Sequence, residues 1–70
     1  MSMALEYWYA VINTVTGQCL RVETSTEYIT QEEAPDYILI EGYIPEYKHK
    51  YYIDGEWYED ANGTIPWSPT

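Results

Sequence analysis

Asp54-Gly55 stands between two short runs of large residues, Tyr51-Tyr52-Ile53 and Glu56-Trp57-Tyr58. The tightest hairpin turn needs positive φ at both central residues, which Asp tolerates and Gly adopts freely. The pair therefore predicts a two-residue loop, and the loop sets the register. Ile53 falls opposite Glu56, Tyr52 opposite Trp57, Tyr51 opposite Tyr58 and Lys50 opposite Glu59. Successive side chains alternate faces, so Tyr52 and Trp57 share one face while Tyr51, Tyr58 and Ile53 share the other. A two-stranded ribbon has no inside, and something else in the chain must cover at least one of these faces.

A second hairpin is written in Tyr7–Ile12 and Gln18–Glu23, both rich in aromatic and branched residues and joined by a loop ending in Gly17. If Asn13 pairs with Gln18, Val11 lies opposite Leu20 and Tyr9 opposite Val22. Tyr7, Tyr9, Val11, Leu20 and Val22 then form an apolar face, the natural cover for the aromatic ribbon. The opposite face carries Trp8 with Glu23, Ala10 with Arg21 and Ile12 with Cys19. Residues 24–36 read as a polar connection, with an extended piece near Tyr28–Thr30 and a short helical turn through Gln31–Ala34. Tyr37–Ile40 is an apolar run suited to a third strand, with Gly42 marking a bulge or a close backbone approach. Pro45 cannot donate to a ladder and ends that strand. Asn62-Gly63-Thr64 reads as a turn. Residues 61–70 form an extended tail set by Pro66 and Pro69, whose Trp67 is expected to dock. The expected fold is one small all-β domain over residues 1–70: two β-hairpins, a middle strand and an extended Pro-rich C-terminal tail.

Seventy residues bury little surface, and small folds usually add disulfides, a metal or a partner. Cys19 is the only cysteine and His49 the only histidine, so neither an internal disulfide nor a four-ligand zinc site can be built. An efficient core or an oligomeric partner remains. The chain has nine tyrosines, three tryptophans and no phenylalanine. Tyr and Trp suit positions with one apolar end and one wet or hydrogen-bonded end, as at interfaces or in a thin sheet with half-wet faces. A net charge of −9 repels phosphates and anionic membranes, so direct nucleic-acid or membrane binding is not expected. No apolar run is long enough to span a bilayer, and no cationic start followed by an apolar core announces secretion. The single cysteine fits a reducing compartment.

Catalytic constellations are thin. Asp54, Glu56, Glu59 and Asp60 include carboxylates that could pair as acid and base, but the turn explains Asp54 and solvated strand positions explain the others. Asp54, Glu56 and Asp60 lack the patterned loop of an EF-hand, so no metal is expected. Cys19 on a strand is better read as a packing residue than as a nucleophile served by His49. There is no glycine-rich phosphate loop, and neither an enzyme nor a cofactor is expected. Of the aromatic pairs, Trp57 with Tyr52 is the best suited to stacking on a sugar.

The stretches Tyr-Ala-Val-Ile-Asn-Thr-Val-Thr-Gly-Gln-Cys, from Tyr9, and Tyr-Tyr-Ile-Asp-Gly-Glu-Trp through to Pro66-Trp67 resemble small accessory proteins encoded near tail-fibre and other virion genes of tailed bacteriophages. The resemblance covers about half the chain in two blocks and describes hairpins, not chemistry. It implies a virion component, made in the host cytoplasm, such as a head-decoration or tail-associated subunit. Its partners would be other virion proteins or further copies of itself in a homo-oligomer. Tyr51, Tyr52, Trp57, Tyr58 and Trp67 are the expected contact residues. The alternative is an acidic phage-encoded inhibitor that imitates DNA on a host nucleic-acid-binding protein. Mimicry wants carboxylates spaced along one face, whereas Glu23, Glu41, Glu56 and Glu59 are scattered and Glu32, Glu33 and Asp36 cluster.

Overall fold

Branched and aromatic residues fill Tyr7–Ile12, and this run becomes β1, the central strand of a three-stranded antiparallel sheet. The computed structural model describes residues 6–69. β2 (Cys19–Ser25) and β3 (Tyr37–Ile40) flank β1, giving the order β2-β1-β3. A single turn of 3₁₀-helix follows at Pro45–Tyr47. β4 (Tyr51–Ile53) and β5 (Glu56–Tyr58) form a second, two-stranded antiparallel sheet. The protein is a small all-β fold, as its sequence predicts.

The second hairpin has the predicted register, with Tyr52 opposite Trp57, and Asp54 and Gly55 at φ 50° and 84°. The first does not keep its predicted register. Ile12 pairs with Cys19 and the Asn13 N–H donates to the Gln18 carbonyl at 2.9 Å, as expected. Beyond that point Val11 pairs with Arg21, not Leu20, and Tyr9 with Glu23, not Val22. A β-bulge at Leu20 inserts one extra residue into β2, and each later residue of that strand changes face. The bulge unites Cys19 and Val22 with Trp8, Ala10, Ile12, Ile38 and Ile40 on one face, and leaves Leu20 exposed. That face, rather than the Tyr9-Val11-Leu20 face, receives the aromatic ribbon through Tyr47, Tyr52, Trp57 and Trp67.

Tyr9 and Val11 are nonetheless buried, on the opposite face. The polar connection after β2 folds back as a roof over them. The Ile29 N–H donates to the Tyr9 hydroxyl at 2.7 Å, and Tyr28 packs edge-on against Tyr7 at 5.5 Å. Tyr37 on β3 donates its hydroxyl across β1 to Glu23 on β2, and Arg21 Nε donates to the same carboxylate at 2.7 Å. Further along, the Glu33 and Ala34 N–H groups both donate to the Thr30 carbonyl, the short turn expected there. Gly42 has no atom within 4 Å of where a Cβ would stand, so it marks neither a bulge nor a close approach.

The two sheets meet at one backbone junction. The Cys19 N–H donates to the Lys50 carbonyl at 2.7 Å, His49 N–H to the Cys19 carbonyl at 2.9 Å and Tyr52 N–H to the Gly17 carbonyl at 2.8 Å. Gly17 sits at φ 83°, and a Cβ there would stand 2.6 Å from the Tyr52 carbonyl oxygen. Gly17→Ala should therefore cost more than about 2 kcal/mol, since it combines a left-handed backbone with a backbone clash. Gly55→Ala, at positive φ in open space, should cost about 1 kcal/mol, and Gly42→Ala under about 0.5 kcal/mol. Urea unfolding of the three variants checks the order.

The Glu23–Tyr37 bridge makes stability pH-dependent at both ends. The Tyr37 hydroxyl, then Arg21, holds the Glu23 carboxyl below its usual range, so its contribution is present above that range and is lost as pH falls through it. The same bond raises the Tyr37 phenol, so its contribution is full below about pH 10 and is lost as pH rises beyond. Tyr37→Phe should flatten both arms of a melting-temperature profile. The alkaline arm should shrink without vanishing, because burial raises the Tyr47 phenol and Glu56 raises that of Tyr58.

Candidate interaction surface

Pro45 pre-sets the backbone of the 3₁₀ turn, and that turn inserts Tyr47 between the hairpins. Tyr47 is 7% exposed. Its ring lies 4.7 Å from that of Trp57 and 5.0 Å from that of Trp67, both edge-to-face. Tyr52 and Trp57, paired across the hairpin, are 5.0 Å apart. The tail reaches the cluster by backbone pairing: Pro66 lies against Tyr58, and the Trp67 N–H donates to the Trp57 carbonyl at 3.0 Å. Lys50 Nζ stands 5.2 Å over the Trp67 ring and 3.6 Å from Glu59. Such edge-to-face pairs contribute about 0.5–1.5 kcal/mol each beyond burial.

Of the five expected contact residues, Tyr52, Trp57 and Trp67 are thus gathered into one cluster with Tyr47, packed on the protein's own core. Tyr51 and Tyr58 face each other on the other side of the ribbon. All five are half-buried. The loop after β5 turns back over the Tyr58 side. Asp60 accepts from the Thr64 and Ile65 N–H groups, each at 2.9 Å, and a Cβ on Gly63 would lie 3.3 Å from Ile53. The Thr64 hydroxyl, which also donates to Asp60, and then these backbone bonds hold the Asp60 carboxyl below its usual range. The Asn62-Gly63-Thr64 turn is the bend they close.

More exposed apolar side chains lie elsewhere. Leu39 on β3, Tyr43 after it and Tyr28 in the roof are 48%, 64% and 56% exposed. Sequence reading missed these three, and Tyr47 as well. The signal for Leu39 was present: alternation puts it on the opposite face from Ile38 and Ile40, and on an outer strand that face is only partly covered. Tyr43 lies 5.4 Å from Trp8, which extends the aromatic surface around the end of β3.

Several ionisable groups are occupied locally. Cys19 is fully buried, its thiol donates to the Arg21 carbonyl at 3.4 Å, and burial raises its pKa, which disfavours the reactive thiolate. His49 is bonded to Cys19 only through backbone, at φ 76°. Glu56 accepts from the Tyr58 hydroxyl at 3.0 Å. Among the described residues no group of three His, Cys, Asp or Glu is placed to hold a metal ion, and no helix is long and apolar enough to cross a membrane.

Trp67→Ala should lower stability by about 1–3 kcal/mol, less than deletion of a fully buried tryptophan. Thermal unfolding measures this, and loss of near-ultraviolet dichroism from Tyr47 and Trp57 should accompany it. Compared with known protein families, curated proteins and solved structures, the chain matches none.

Proposed function

We propose that the chain is a small structural subunit of a tailed-bacteriophage virion, head-decorating or tail-associated, that acts by binding other virion proteins and has no catalytic role. The observation that carries this reading is that Tyr28, Leu39 and Tyr43 are exposed while Glu23, Glu56 and Asp60 are engaged in local bonds. Such a surface suits contact rather than turnover. The resemblance to phage accessory proteins supports it further. Its two blocks, Tyr9–Cys19 and Tyr51–Trp67, cover most of β1 with the loop that follows it, and the second hairpin with the tail. Half-buried Tyr51, Tyr58 and Trp67 offer their outer edges to the same purpose. Repeated copies would turn individually weak contacts into a durable assembly.

The acidic-inhibitor reading draws on exposed Glu27, Glu32 and Glu33, which lie together in the roof segment. Quantitative mass spectrometry of purified particles separates the two. A fixed ratio to a major virion protein is the expected result. Presence only in cell extracts, with partner binding that falls steeply between low and physiological salt, would transfer the reading to the inhibitor.

A further inference from the structure

We propose that the outer edge of β3 is a docking site for an extended cationic segment of another protein, which joins the sheet as an added antiparallel strand. This inference stands on the sheet itself and does not depend on the virion reading. The Ile12 N–H donates to the Asp36 carbonyl, so the backbone groups of residues 36, 38 and 40 face β1. Those of 37, 39 and 41 face away. Tyr37 N–H, turned outward, is taken by the Ala34 carbonyl. The Tyr37 carbonyl, both groups of Leu39 and the Glu41 N–H remain, and among the described residues no strand pairs with them. They form a short row of alternating acceptors and donors, the surface used in β-strand addition. Leu39, 48% exposed between buried Ile38 and Ile40, supplies an apolar contact on its outer face.

Charge selects the occupant. Asp36 and Glu41 bracket β3, roughly 17 Å apart along the strand. Glu32 and Glu33 lie in the turn just before it. Arg21 is engaged by Glu23 and Lys50 by Glu59, and the third cation, Lys48, lines a groove with Arg21 and Val22 of β2, the strand on the far side of β1 from this edge. A second copy is disfavoured: it would bring another net charge of −9 to an edge already flanked by carboxylates. A strand of opposite sign gains where a copy loses. Opposite Glu41 through Asp36, the matching segment reads cation, any, apolar, any, apolar, cation, with its apolar residues against Leu39 and Tyr37.

The test uses the full chain, labelled for amide NMR, and a peptide carrying Lys-Thr-Val-Thr-Ile-Arg. A control peptide has the same sequence N-methylated at valine, which keeps charge and side chains but removes the central ladder donor. The expected result is saturable binding that slows hydrogen exchange at the Leu39 and Glu41 amides. The control should bind at least about tenfold more weakly. Leu39→Lys, a change at an exposed position, should weaken the parent peptide by a similar factor. Equal binding of both peptides, with shifts scattered over the acidic surface, would show charge attraction alone and overturn the proposal. So would absence of binding, or concentration-dependent shifts at Leu39 and Glu41 without peptide, which would give the edge to a second copy.

Discussion

The backbone bonds between Gly17–Cys19 and His49–Tyr52 hold the molecule together as one body. Each hairpin alone is a two-sided ribbon with nothing beneath it, and neither sheet has enough strands to bury its own aromatics. Bonding the start of β2 to the start of β4 turns the second ribbon onto the first sheet. This gives Trp57 and Tyr52 a floor of Ala10, Ile12, Cys19, Ile38 and Ile40. The close approach is open only because residue 17 has no side chain. It also explains the full burial of Cys19, which lies opposite Ile12 of β1 while its N–H and carbonyl bond to Lys50 and His49.

Local chemistry was legible in the sequence. The Asp54-Gly55 pair carries its own register, Tyr37–Ile40 its own strand, and Pro66 and Trp67 their extended docking. What could not be read was the displacement at Leu20. Alternation favoured continuous pairing, which gathered Tyr9, Val11, Leu20 and Val22 on one side; the bulge exposes Leu20 and gives Val22 to the other side. That choice is made by tertiary packing, because only the bulged strand puts Cys19 and Val22 on the same core face. The role of residues 26–36 was hidden for the same reason. A polar segment becomes a roof through one backbone N–H bonded to Tyr9, a contact that spans 20 residues. Tyr47 was missed because its burial depends on where the 3₁₀ turn sits, not on any periodic pattern.

The absence of phenylalanine follows from the same thinness. The molecule is only 16 Å across its shortest axis, so a buried ring is never far from water or a polar backbone. Tyr9 uses its hydroxyl to accept the roof, Tyr37 to bridge the sheet, and Tyr58 to hold Glu56. Each would be an apolar dead end as phenylalanine. The tryptophans extend this economy, with the Trp67 ring under a lysine and its backbone N–H on the Trp57 carbonyl.

The junction at Cys19 and Lys50 also governs the order in which the chain acquires shape. Its partners are separated by about thirty residues, and closing so long a loop must be achieved before the shared core can reward it. The Asp54-Gly55 ribbon, whose partners are neighbours in sequence, can form within microseconds. It then waits, aromatics exposed, for the other ribbon to arrive. During that interval the strand edges and the Trp57 face are open to other chains, so a nascent copy is stickiest before it is complete.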